Sequence, residues 1–181
     1  MKENLKLAYF NMTFQNDDFK IREASNDDAV EILDLIKISF KSYVKNNKYN
    51  KNQIENSALK EDYYEVQNDI GKNIVFIIEK FDNKNKIVGT LRLELKEKNG
   101  YLLKRFAILP EYQNQGLGTA IFKIAEQYVK NRKGAFVYLY SSLENHSLIK
   151  FYTKLGFECK KIDVNKGYRR GHWFKKYYYR Y

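Results

Sequence analysis

Leu109 to Thr119 reads LPEYQNQGLGT and lies between an apolar, strand-like run (Tyr101 to Leu109) and a helix-like run that begins at Gly116. Gly116 and Gly118 fall where strand gives way to helix. Glycine removes the side chain that would keep a ligand off the backbone. A helix start also presents unpaired N–H groups and the positive end of the helix dipole. Together these make an anion cradle, suited above all to a pyrophosphate. Neither nucleotide fingerprint fits. A dinucleotide turn carries three glycines near the start of a strand–helix–strand unit, and a triphosphate loop carries a Lys-Ser or Lys-Thr pair. Here Gly118 is followed by Thr119 and Ala120. An ordinary strand-to-helix turn could carry the same two glycines, so the turn alone leaves the ligand open.

Its surroundings narrow the choice. Gln113-Asn114-Gln115-Gly116-Leu117-Gly118 resembles the (Gln/Arg)-x-x-Gly-x-(Gly/Ala) motif of the GNAT superfamily of N-acetyltransferases. Phe106-Ala107-Ile108-Leu109-Pro110 is similar to the strand and proline that precede that motif. Asn145 through Phe157 (NHSLIKFYTKLGF) is similar to the family's second signature. The resemblance is carried from about Tyr101 to Phe157; Phe19 to Gly100 is compatible but poor in motifs. It implies an α/β (α+β) fold: a mixed, mostly antiparallel central sheet with helices on both faces and a splayed cofactor-binding strand pair. It implies acetyl-CoA as co-substrate, with no metal.

The resemblance also assigns roles. Backbone N–H groups within Gln113 to Thr119 (Asn114, Gln115, Gly116, Leu117, Gly118 and Thr119) would hold the pyrophosphate. Free backbone groups at Phe106, Ala107 and Ile108 would pair with the pantetheine arm, and an N–H there can polarise the thioester carbonyl. Asn145 would bond the cofactor arm, a role compatible with its reading as a helix-start residue. Tyr152 would protonate the departing thiolate, because a phenol with a pKa of about 10 keeps its proton at neutral pH. Packing on a helix face beside Leu148 and Leu155 is the competing reading of Tyr152.

An attacking amine must first lose a proton, and many relatives use a Glu for this. The strand Ala135 to Tyr140 departs from that pattern, since it carries Tyr138 and Tyr140 and no acid. Glu94 is the nearest replacement; Glu144 and Asp62 are weaker ones, and solvated surface acids are the rule. Arg105 either forms an ion pair or touches the acceptor. No activated Cys or Ser nucleophile is evident, so the expected reaction is direct attack of a primary amine in a ternary complex. A non-catalytic CoA- or RNA-binding module on the same fold is the alternative, and transfer of a longer acyl group a third reading.

Composition sets the outer limits. The 181 residues are one domain of ordinary size, and 44% apolar with 16% aromatic residues excludes a disordered chain. The single cysteine, Cys159, cannot form an internal disulfide, which points to a reducing, cytoplasmic setting. His146 and His172 are too few for a His-rich metal site. Apolar runs are too short to cross a bilayer, and the N-terminus does not read as a signal peptide. The net charge of +11 is mostly dispersed, so nucleic acid is not the expected partner. The segment from Lys160 to Tyr181 is the exception, with eight Lys or Arg, one acid and interleaved aromatics. It suits RNA stacking, a homodimer contact or a strand hairpin equally. The expected acceptor is a small-molecule or peptide amine.

Period and punctuation supply the elements. Residues 1–18 form an N-terminal extension with an alternating stretch at Leu5, Leu7, Tyr9 and Asn11, ahead of a single GNAT-like domain over residues 19–181. Phe19 to Ala24 reads as a strand. Ser25 to Asp28 starts a helix whose apolar stripe is Val30, Leu33, Ile36 or Lys37, and Phe40. Asn46 to Asn52 is a polar break. Ser57 to Ile70 reads as one helix with a stripe at Leu59, Tyr63, Val66 and Ile70. Asn73 to Lys80 and Ile87 to Leu95 are strands joined at Asp82 to Asn85, and Tyr101 to Ile108 is the next. The helix from Gly116 to Arg132 is stopped by Gly134. A strand (Ala135 to Tyr140), a helix (about Glu144 to Leu155, ended by Gly156) and two strands (Phe157 to Val164, His172 to Tyr179) follow, the last two joined through Asn165, Lys166 and Gly167.

Overall fold

The computed structural model describes residues 10–14, 17–46, 57–81, 85–164 and 168–179. Eight strands form one sheet: β1 (Phe10–Phe14), β2 (Asp17–Glu23), β3 (Ile74–Phe81), β4 (Ile87–Leu95), β5 (Gly100–Ile108), β6 (Phe136–Ser142), β7 (Glu158–Asp163) and β8 (Arg170–Lys176). Their order across the sheet is β1-β2-β3-β4-β5-β6-β8-β7. Every pairing is antiparallel except β5 with β6. The helices are α1 (Ala29–Asn46), α2 (Ser57–Lys60), α3 (Tyr63–Lys72), α4 (Leu117–Asn131) and α5 (His146–Lys154). This is the mixed, mostly antiparallel sheet with two helical layers that the sequence implies.

The run IVFIIEKF makes β3 apolar on both sides, and both sides are covered. On one face Phe76 meets Tyr128 of α4, ring centroids 5.9 Å apart. On the other, α1 and α3 pack against each other, with α1 on β4 and β5 and α3 on β3. Alternation then sorts β4: Leu91 and Leu93 go to the α4 face, while Thr90 and Arg92 go to the α1–α3 face.

Three expectations need correction. The buried face of α1 is Ala29, Ile32, Leu35, Ile36 and Ser39; Val30 is exposed. The helix is rotated because a single turn at Asn26–Asp28 precedes it, with Asp28 bonded back to Ser25 and bridged to Arg22 at 2.7 Å. Second, Ser57 to Ile70 is two helices. Asp62 restarts the chain in a reciprocal cap with Glu65, and the residue at the break, Glu61, is buried instead of facing solvent. Third, the left-handed residue after α4 is Lys133 (φ 52), not Gly134. Gly134 is needed for space: a Cβ there would lie 2.4 Å from Val129 and 2.9 Å from Tyr101. A further strand, Phe10–Phe14, pairs with β2 at the sheet edge. Leu5, Leu7, Tyr9, most of the polar break after Asn46, the turn at 82–84 and the loop at 165–167 lie outside the described residues.

Candidate active site

The turn between β5 and α4 is built to leave its backbone open. Pro110–Tyr112 forms a single helical turn, after which Asn114 (φ 61) and Gly116 (φ 86) take left-handed conformations. Two glutamine side chains brace it: Gln113 Nε2 donates to Ile108 O at 2.9 Å and Gln115 Nε2 to Glu111 O at 3.1 Å. Gly116 stands at the helix start, and no side chain caps it. The first amide of α4 with an internal partner is Ala120, bonded to Gly116 O at 3.0 Å. Among the described residues, the N–H groups of Asn114 to Thr119 meet no acceptor. Six donors at the positive end of a helix are what an anionic ligand requires. Gly118 answers a packing need as well, since a Cβ would sit 3.2 Å from the Phe151 ring.

Beside this turn the sheet opens. β5 and β6 pair only at Gly100–Phe136, Tyr101–Val137 and Leu102–Tyr138, after which the strands diverge. A bulge on the other side of β5 sets Arg105 and Phe106 opposite Leu91 alone, with Arg105 at φ 52. Leu109 N–H bonds Val88 O, so by alternation Ala107 turns its backbone toward β4 and Ile108 toward the gap. The Ile108 carbonyl is used by Gln113 and by Ser39 Oγ (3.3 Å), which leaves its N–H facing the gap. Of the three residues expected to meet the cofactor arm through their backbone, Ala107 is therefore the one held by the sheet.

On the α4–α5 face, Phe151 of α5 meets Phe106 at 5.6 Å, and Tyr152 lies against Phe151, Phe157 and Trp173. Trp173 is the register partner of Leu139, so Tyr152 sits beside the diverging part of β6. Burial pushes its phenol above the usual range, and among the described residues its hydroxyl has no hydrogen-bond partner. Asn145 caps α5, its Oδ1 accepting from Leu148 N–H at 3.0 Å.

The opposite face holds a chain of ion pairs. Arg92, fully buried, reaches Glu61 (2.7 Å) and Asp69 (2.7 Å). Arg105 Nε donates to Glu61 at 3.0 Å; Lys104 bridges Asp69 (3.1 Å) and Glu94 (3.2 Å); Lys96 closes on Glu94. Burial raises the Asp69 and Glu94 carboxyls, but their bonds to Arg92 and Lys104, and to Lys96 and Lys104, outweigh it and hold both below their ordinary values. Glu94, the expected replacement acid, thus lies on this face, bound as a carboxylate by two lysines. Asp62 is spent as a cap, and Glu144 is exposed after β6.

Three groupings were not visible in the sequence. Glu61 joins the break between α2 and α3 to the β5 bulge. An aromatic wall runs along β6 and β8, with Tyr138 stacked on Phe174 (5.6 Å, 15°) and in contact with Phe136 and Tyr140. His172 Nε2 lies 2.5 Å from Asp163 Oδ2, with Tyr140 across it at 4.6 Å. The nine-residue spacing of Asp163 and His172 signals nothing alone; the β7–β8 register brings them together. Among the described residues no group of three or more His, Cys, Asp or Glu converges on a metal position, and no helix is long and apolar enough to cross a membrane.

An open helix start beside a splayed parallel strand pair defines the class: an acyl-carrier-binding fold of the acetyltransferase type. Residues 38–157 match the Acetyltransferase (GNAT) family, and the chain belongs to that family. A 61-residue segment is 41% identical to an uncharacterized N-acetyltransferase of Methanocaldococcus jannaschii, covering 34% of this chain and 26% of that protein, so the match spans about a quarter of the relative. The crystal structure of PaiA N-acetyltransferase from Thermoplasma acidophilum with coenzyme A superposes with a TM-score of 0.74 at 22% identity, over 88% of this chain and 99% of that one. A spermidine N-acetyltransferase SpeG chimera from Vibrio cholerae and hSSAT gives 0.65 at 17% identity, over 87% and 95%.

Proposed function

We propose that this protein is an acetyl-CoA-dependent N-acetyltransferase that modifies a primary amine by direct attack in a ternary complex. The observation that carries the reading is the run of six open amides from Asn114 to Thr119, placed at the mouth of the gap between β5 and β6. The residues fit an acyl carrier: the amides and the α4 dipole hold a pyrophosphate, and the free edge of β5 accepts an extended arm. When bound, acetyl-CoA supplies an activated thioester.

The chain's own groups do the rest. The Ile108 N–H and the backbone at the Phe106 bulge face the position of a carbonyl in the gap and favour the negative charge that develops there. Tyr152 keeps its proton because its burial disfavours the phenolate, and it delivers that proton to sulfur. Asn145 fixes the start of α5 and so the direction of the helix bearing Tyr152. Glu94, tied to Lys96 and Lys104, is a weak proton acceptor and serves best as the anchor of those two lysines.

The test is twofold. Acetyl-CoA should raise the melting temperature saturably, and thiol release from acetyl-CoA should depend on an added primary amine. Neither effect at millimolar cofactor would remove the reading.

A further inference from the structure

We infer that His172, held by Asp163, receives the proton that the acceptor amine must lose; this rests on the acetyltransferase reading above. Tyr152 stands on the α4–α5 face of the gap, so a proton acceptor kept apart from this donor belongs on the α1–α3 face. The carboxylates of that face are committed: Glu61 and Asp69 to Arg92, Glu94 to two lysines. His172 is on this face, as the chain of register partners shows. Glu94 pairs with Leu102, Leu102 with Tyr138, and Tyr140, two residues on, with His172.

The ring is poised by its neighbours. An ionised carboxylate only accepts, so the 2.5 Å contact with Asp163 places the ring proton on Nε2 and leaves Nδ1 as the basic nitrogen. Among the described residues Nδ1 has no hydrogen-bond partner. The side chain is 19% exposed, which keeps water in reach. The charged and titratable groups around it are Asp163 and Lys161 from β7, Arg170 from its own strand and Tyr140 from β6. Arg170 lies 4.5 Å over the Tyr140 ring and 3.6 Å from Asp163, fixing both partners of the histidine.

The balance is simple. The ammonium gives one proton to Nδ1, directly or through one water. The freed lone pair forms the C–N bond as the C–S bond breaks, and sulfur takes the Tyr152 proton. His172 then releases its proton to solvent and Tyr152 recovers one.

The experiment uses acetyl-CoA with tyramine, spermidine and an alanyl tripeptide as probes, in the parent protein, His172→Gln and Asp163→Asn. Ring-proton NMR is readable because His146 and His172 are the only histidines. The expected result has three parts. His172→Gln lowers kcat roughly 10²-fold at neutral pH while leaving coenzyme A stabilisation intact. The acid limb of the kcat/KM profile is lost in His172→Gln, and Asp163→Asn, which no longer fixes the ring tautomer, lowers kcat by a smaller factor. In the parent that limb coincides with the NMR titration of the His172 ring. A parent-like rate and acid limb in His172→Gln, or a ring titration that does not match the limb, overturns the inference while leaving the acetyltransferase reading standing. A parent that neither binds coenzyme A nor acetylates any probe overturns both.

Discussion

Two helices of this chain begin in opposite ways. At α3, Asp62 accepts from Glu65 N–H at 2.9 Å and the Glu65 side chain accepts from Asp62 N–H at 3.1 Å, so the helix closes its own end. At α4, Gly116 offers no side chain and six amides stay open. A self-capped start is worth about 1 kcal/mol to a helix, so leaving one uncapped is a cost to stability. The cost is local to α4, whose other features are those of a well-made helix: Leu117, Ile121, Phe122, Ala125, Tyr128 and Val129 are all buried. Under the proposed function, that difference marks where the molecule keeps its binding capacity for a ligand.

The most direct way to break the contrast is to make α4 resemble α3. Gly116→Asp supplies a carboxylate where the pyrophosphate would sit, and aspartate tolerates a left-handed position better than most residues. Coenzyme A affinity should fall roughly 10²-fold by calorimetry, with the helical circular dichroism unchanged; undiminished affinity would move the cofactor site elsewhere. Tyr152→Phe acts further along the gap. It should reduce kcat roughly 10- to 100-fold and leave coenzyme A affinity within twofold; unchanged turnover removes Tyr152 from the acid role.

Acid separates the regions by a different lever. Burial raises the Asp28 and Asp69 carboxyls, but their arginine partners outweigh it and hold both below the ordinary 3.8. Their stabilising contribution is therefore complete above the unfolded value and is lost as pH falls through the folded one. Hydrogen exchange should show the start of α1, held by Asp28, and the second half of α3, held by Asp69, opening below about pH 4 before the start of α4, which holds no titrating cap. The smallest effect belongs to Asp62→Ala. It should cost about 1 kcal/mol, a drop of about 2–4 °C in melting temperature, without changing coenzyme A affinity.

Elements set by local chemistry were legible in the chain. β4 runs from Ile87 to Leu95 as its composition predicts, and the glycine turn sits where strand changes to helix. What misled was geometry that depends on a partner. Val30 lies on an equally regular stripe of α1, but the turn at Asn26–Asp28 and its bridge to Arg22 choose the stripe through Ile32 and Leu35. Glu61 sits in a helical pattern, yet a buried arginine thirty-one residues later draws it inward. The His172–Asp163 contact follows from the β7–β8 register, which sets Lys161 against His172 and Asp163 against Arg170 and which composition does not encode. Site residues on one continuous turn could thus be named from the chain, and those assembled across strands could not.

Arg105 sits at the kink in β5. Its backbone sits in a conformation that costs of order 1–3 kcal/mol, and its side chain is anchored to Glu61, which comes from the break between α2 and α3. The kink in the strand is thus fastened from a segment more than forty residues away in the chain. Exchanging residues 57–72 for those of a relative would remove the fastening. Such a hybrid would need a glycine at position 105 to keep the gap its shape.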